Sequence, residues 1–186
     1  MKGFIIYALP RSRTAWLAHF LTYGDWTCCH DVVTDVHSFA ELQEIFGIPY
    51  IGSAETGMIE GWKAMEKIAP DHRRVVIRRP LEEIKASLAK FGLADDEGLE
   101  RREKMLIELS AQPDVMTVNY ADLDNIETIK ALFEFCLLQP FDEQYWERLR
   151  HKNIQIDMPA RIWKLQKNQP GINALKTELM NFMRQQ

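Results

Sequence analysis

Leu9-Pro10-Arg11-Ser12-Arg13-Thr14-Ala15-Trp16-Leu17 decides how this 186-residue chain is read. The apolar run before it, Phe4-Ile5-Ile6-Tyr7-Ala8, has the character of a buried strand. Trp16, Leu17, Phe20 and Leu21 then fall on one face of a helix. A strand that turns sharply into a helix points unpaired backbone N–H groups, and the positive end of the helix dipole, at whatever occupies the turn. Arg11, Arg13 and the hydroxyls of Ser12 and Thr14 crowd into that turn. The stretch reads as a site for a phosphate or sulfate group; the plain alternative is a strand–helix turn with solvated arginines. It is not a nucleoside-triphosphatase loop of the Gly-x4-Gly-Lys-[Ser/Thr] kind, because the turn holds neither Lys nor Gly.

Working outward, strands and helices alternate. Thr27 to Val33 is expected as a second strand. Ser38-Phe39-Ala40-Glu41 has the capping-box pattern and opens a helix that stops at Gly47. Pro49 to Ser53 reads as a third strand, and Met58, Trp62 and Met65 recur at helical spacing as core positions. Arg74-Val75-Val76-Ile77-Arg78 has the β-branched run of a buried parallel strand. Pro80 suits the first turn of a helix with the stripe Leu81, Ile84, Leu88, Phe91 and a stop at Gly92. A charged helix carrying Leu99, Leu106 and Leu109 leads to a fifth strand, Val115 to Tyr120, and then to a helix marked by Ile126, Ile129, Phe133 and Cys136. Beyond Pro140, Tyr145 and Leu149 share a helical face, as do Ile172, Leu175, Leu179 and Phe182. Asn153 to Lys167 shows no period and reads either as a loop closing over a site or as a packed connection. This alternation predicts an α/β fold with a parallel sheet and right-handed crossovers.

The chain suits a single domain over residues 1–186. A net charge of −4 argues against general nucleic-acid binding, which rests on neutralising many phosphates. The arginines nevertheless cluster, Arg11 and Arg13 with Arg73, Arg74, Arg78 and Arg79, as expected of a basic pocket for a small anion. Cys28, Cys29 and Cys136 lack metal-ligand spacing and read as reduced core thiols. With no evident signal peptide and no stretch of membrane-spanning length, a cytoplasmic location without membrane contact is expected.

The opening stretch resembles the phosphosulfate-binding loop of the sulfotransferase family, Pro-[Lys/Arg]-Ser-Gly-[Ser/Thr]-x-Trp. Pro10, Arg11, Ser12, Thr14 and Trp16 match it, and Arg13 stands where the family has Gly. That departure matters if the position needs positive φ; it otherwise adds a second guanidinium. Arg78-Arg79-Pro80 resembles the second family motif, strand-Arg-x-Pro-x5-Ser, which holds the 3′-phosphate of 3′-phosphoadenosine-5′-phosphosulfate. The serine comes one residue late, at Ser87, and counting from Arg79 restores the separation. At about 100° per residue, Ser87 borders the apolar stripe whereas Ala86 points nearly opposite. Tyr120-Ala121-Asp122-Leu123 is similar to the family's Tyr-Glu-Asp-Leu and is expected to be structural. The likeness runs from about Gly3 to Leu138. The C-terminal Gly-x-x-Gly-x-x-[Lys/Arg] loop is missing, and Lys152 with Asn153, or Arg161 with Lys164, are the substitutes at hand.

The resemblance implies a three-layer sandwich around a five-stranded parallel sheet, P-loop nucleoside-triphosphatase-like. It implies transfer of a sulfuryl group from 3′-phosphoadenosine-5′-phosphosulfate, without a metal, to a hydroxyl or amine on a small molecule or carbohydrate. The donor-binding set is then Arg11, Ser12, Arg13, Thr14 and the Ala15 amide, with Arg78, Arg79 and Ser87 on the 3′-phosphate. Arg11 takes the catalytic cation's place, in an electrostatic role since arginine does not readily give up a proton. Glu55, just beyond the third strand, is the first candidate for the base, followed by His30 or Asp31 and then His37; His30 and Asp31, adjacent in a strand, are expected on opposite faces. Two other readings stand beside this one. A P-loop kinase-like phosphoryl transferase would want an Asp for magnesium where Arg78 and Arg79 stand. The other is a catalytically inactive nucleotide-binding protein on the same scaffold.

Overall fold

The structure, a computed structural model, describes residues 3–93, 96–154 and 156–184. Five strands, β1 (Phe4–Ala8), β2 (Thr27–His30), β3 (Ile51–Glu55), β4 (Arg73–Arg78) and β5 (Val115–Asn119), form one sheet. All four pairings are parallel, in the order β2-β3-β1-β4-β5. The helices are α1 (Thr14–Phe20), α2 (Phe39–Gly47), α3 (Trp62–Ile68), α4 (Leu81–Ala89), α5 (Asp96–Ser110), α6 (Ile126–Leu137), α7 (Glu143–Leu149) and α8 (Met158–Arg184).

Strand alternation sorts the side chains into two cores. Phe4, Ile6 and Ala8 of β1 join Val75 and Ile77 of β4 beneath α1, α6 and α7. Ile5 and Tyr7, with Val76, pack on the other face against α2, α3, α4, α5 and α8. A sheet buried on both faces needs apolar residues at every strand position, which is why β1 is an uninterrupted apolar run. The result is the three-layer α/β architecture expected from the sequence.

Most element positions follow local signals. Ser38 accepts a hydrogen bond from Glu41 N at 3.2 Å and so starts α2. Asn125 does the same for α6 through the amides of Glu127 and Thr128. Several boundaries differ from expectation, among them the end of α4, which stops at Ala89 and leaves Phe91 beyond it. β2 stops at His30 rather than Val33, because Asp31 has φ 50 and leads into a 3-10 turn over Val32–Thr34. β3 lies two residues later than expected. Tyr50 has φ 58 and cannot extend, while Gly52 sits so close to the Phe4 ring that any Cβ there would overlap it. Finally, residues 158–167 are the beginning of α8 rather than a loop or simple connection. Among the described side chains of that helix Leu175 and Leu179 are the buried ones, so its core-facing spacing is read in its C-terminal half.

Among the described residues, no helix is long and apolar enough to cross a membrane. The chain leaves β1 toward α1 on one face and β4 toward α4 on the other. Neighbouring strands whose connections part in this way open a crevice at their carboxyl ends.

Candidate functional site

A cavity of about 1070 Å³ occupies that crevice. Its floor is the turn between β1 and α1, where Arg11 and Arg13 both take left-handed backbone conformations, φ 67 and φ 61. The position that holds Gly in the resembled motif therefore does need positive φ here, and Arg13 occupies it without a glycine's freedom. Among the described residues five non-glycine positions have positive φ, and three of them, Arg11, Arg13 and Asp31, line this cavity. Such conformations persist only where surrounding contacts hold them.

Those contacts are specific. Arg11 Nε donates to Ser87 Oγ at 3.1 Å, and its guanidinium lies 5.0 Å from the Phe91 ring centroid. Arg79 Nη1 donates to the Arg11 carbonyl oxygen, Arg79 Nε to Glu83 at 3.1 Å, and the same guanidinium covers the Tyr120 ring at 4.1 Å. Arg13 Nη1 donates to Asp124 Oδ1 at 2.8 Å and stacks over Trp16 at 4.5 Å. Trp16 in turn donates from Nε1 to Leu149 O, anchoring α1 against α7. Ser12 is fully buried, and its hydroxyl has no hydrogen-bond partner among the described residues.

The opposite wall comes from β2 and the turn after it. Thr14 Oγ1 and His30 Nε2 are 3.0 Å apart. The left-handed Asp31 breaks strand alternation, so Asp31 and His30 both line the cavity instead of facing opposite ways. Thr56 fixes the Asp31 carboxylate from its backbone N at 2.6 Å and from Oγ1 at 2.9 Å.

The expected site residues thus divide. Arg11, Arg13, Thr14, Ala15, His30, Arg79 and Ser87 come together around the cavity. Arg78, half-buried at the end of β4, does not line it, whereas Arg79 and Ser87 do. Glu55 is not beyond β3 but is its last residue. It is fully buried, accepts from Val32 N at 2.8 Å and from the Ser53 hydroxyl, and does not reach the cavity. Burial, with the Asp31 charge second, pushes its carboxyl up to about 8. His37 does not line the cavity either. Of the proposed C-terminal substitutes, Lys152 and Asn153 line it, Lys164 pairs with Asp35 instead, and the Arg161 side chain lies outside the described ones. Tyr120, expected to be structural, forms part of the wall under Arg79. Sequence reasoning missed Arg102, Arg150 and His151, which line the cavity from α5 and from the end of α7. Arginine clustering is a signal for such residues only when they are close in sequence.

Among the described residues, six cationic side chains, Arg11, Arg13, Arg79, Arg102, Arg150 and Lys152, therefore line the cavity against two carboxylates, Asp31 and Asp124. Among the described residues, no three His, Cys, Asp or Glu side chains stand together as a metal site.

No family model and no curated protein sequence matches the chain. In structure it is similar to a sulfotransferase domain from the curacin biosynthetic pathway, at 13% identity and a TM-score of 0.48 over 78% of this chain and 77% of that one.

Proposed function

We propose that the chain binds 3′-phosphoadenosine-5′-phosphosulfate and transfers its sulfuryl group to an acceptor hydroxyl or amine. One observation carries the reading. Two sequence motifs 76 residues apart meet at Arg11, whose Nε holds Ser87 while its carbonyl is held by Arg79. A ligand with anionic groups at two places needs two such adjoining cation sites.

The residues fit that donor. Among the described residues the cavity's cations outnumber its acids three to one, while Ser12, expected in the donor set, is fully buried and does not line the cavity. Arg11, Arg13, Thr14 and the loop amides up to Ala15 would hold the phosphosulfate; Arg79 and Ser87 would hold the 3′-phosphate. Arginine presents a planar fork to such groups and stays charged throughout. The donor, when bound, supplies the activated sulfuryl group. The chain does the rest: Arg11 offsets developing negative charge, and His30, whose Nε2 already meets a hydroxyl at Thr14, accepts the acceptor's proton. This role falls to His30 rather than Glu55, because Glu55 is sealed beneath the 3-10 turn.

Calorimetric titration with adenosine 3′,5′-bisphosphate in the presence of a chelator tests the reading against ATP with magnesium. Binding of the bisphosphate without metal, and more tightly than ATP, is expected. Loss of binding in chelator, or preference for magnesium-ATP, would overturn the reading in favour of phosphoryl transfer.

A further inference from the structure

His30 closes β2, and a regular strand would turn Asp31 to the far face of the sheet. Instead Asp31 adopts φ 50 and ψ 54, which folds its carboxylate back to the His30 side. Asp is among the few non-glycine residues that take this conformation readily. The carboxylate is 4% exposed and has a built cradle: Thr56 N at 2.6 Å and Thr56 Oγ1 at 2.9 Å on Oδ1, with Thr56 Oγ1 also 3.1 Å from Oδ2. Oδ2 stands 3.7 Å from His30 Nδ1. On the other side of the ring, Nε2 is 3.0 Å from Thr14 Oγ1. The imidazole is thus spanned between an acid and a hydroxyl that belongs to the anion loop.

We infer that Asp31 is a positioning residue: it fixes His30 as the tautomer with its proton on Nδ1, and so presents Nε2 as the proton acceptor on the cavity side. An ionised carboxylate has no hydrogen to give, so a favourable contact with Nδ1 requires the proton on that nitrogen. Nε2 is then the acceptor of the Thr14 hydroxyl. A proton taken from a substrate hydroxyl adds at Nε2, and the imidazolium so formed has the Asp31 charge beside it. The role of His30 in transfer rests on the function proposed above; the state of its ring does not.

The charges of the surrounding elements agree with this arrangement. Burial, with the Asp31 charge second, pushes the carboxyl of Glu55, on β3 beneath the turn, up to about 8. Asp35, further along the same segment, is paired with Lys164 of α8. From the loop, Arg11 and Arg13 are engaged by Ser87 and Asp124. Across the cavity stands Arg102, with its Nε on the Gly98 carbonyl.

Nitrogen-detected NMR of the His30 ring in the ligand-free protein is the first test, and needs no variant. A proton on Nδ1 with Nε2 as acceptor is expected of the neutral ring; the opposite tautomer overturns the inference. Asp31→Asn keeps the shape and the left-handed tolerance while removing the charge. It should move the midpoint of the His30 titration to lower pH, since a carboxylate favours the imidazolium. An unmoved midpoint overturns the inference. The third measurement is the hydrolysis of 3′-phosphoadenosine-5′-phosphosulfate with water as acceptor. Asp31→Asn should slow it at least about tenfold, within the roughly 10²–10⁴-fold that a positioned base contributes. It should also shift the acidic limb of the rate profile with the ring's midpoint, and it should not weaken bisphosphate binding, since the substitution removes a negative charge from the cavity wall. A normal rate in Asp31→Asn overturns the positioning role. Failure of the wild type to bind the bisphosphate would instead remove the functional reading, and the ring measurements would still decide what Asp31 does to His30.

Discussion

Replacing Arg13 separates what the residue does for the fold from what it does for a ligand. Its left-handed backbone, φ 61, costs a side-chain-bearing residue about 1–2 kcal/mol. Against that cost stand its ion pair with the exposed Asp124, worth about 0–1 kcal/mol, and its stacking over the buried Trp16, about 0.5–2 kcal/mol. Arg13→Gly removes the strain and both contacts, and adds about 0.5–1 kcal/mol of unfolded-chain entropy. The balance is a small destabilisation, about 1 kcal/mol. Arg13→Ala loses the same contacts and keeps the strain, so it should be less stable than the glycine variant by about 1 kcal/mol. Both variants should lose affinity for adenosine 3′,5′-bisphosphate equally. One charge-assisted hydrogen bond is worth about 1.5–3 kcal/mol, roughly a ten- to hundredfold change. Urea unfolding measures the first comparison and calorimetry the second. Undiminished affinity in both variants would show that Arg13 serves the loop alone. An alanine variant as stable as the glycine one would refute the strain argument.

Arg11→Ala should abolish sulfuryl transfer while far-UV circular dichroism stays native, since the side chain faces the cavity and its loss is comparable to losing an oxyanion donor, about 2.7–4 kcal/mol. Arg79→Ala should erase most of the preference for a 3′-phosphorylated nucleotide over its unphosphorylated counterpart, about 1.5–3 kcal/mol, whereas Arg78→Ala should retain it; competition binding with the two nucleotides distinguishes them. Glu55 makes stability fall as pH rises. Its folded-state carboxyl is raised to about 8 from its ordinary 4.5, so between those values the native state holds a proton that the unfolded chain has lost. The contribution is complete below the lower value and gone above the upper one. Thermal melts across that window should show a declining midpoint in the wild type and a flatter profile in Glu55→Gln.

The residues that the sequence placed well are those whose environment is set by near neighbours in the chain. An unbroken apolar β1, the Ser38 cap and the Leu175–Leu179 spacing each report a local preference or a single buried face, so they could be read without tertiary knowledge. The Pro10–Trp16 turn was legible for the same reason, because strand, arginines, hydroxyls and helix are contiguous.

The residue proposed as the base was not legible in that way. Glu55 looked available because its strand was placed two residues early; Tyr50, forced to φ 58, and Gly52, pressed against Phe4, move the register and bury the carboxylate. Asp31 looked opposed to His30 because alternation is a strand rule, and a single left-handed residue cancels it. By itself, then, the sequence determined that an arginine-rich strand-to-helix turn opens a parallel α/β sheet, through periodicity and local charge. Only the tertiary structure decided that Arg79 rather than Arg78 meets Arg11, that His30 rather than Glu55 faces the cavity, and that Arg102 and Arg150 join them. Those outcomes depend on backbone φ values at a few positions and on which strands become neighbours, and both are settled by packing between segments far apart in the chain.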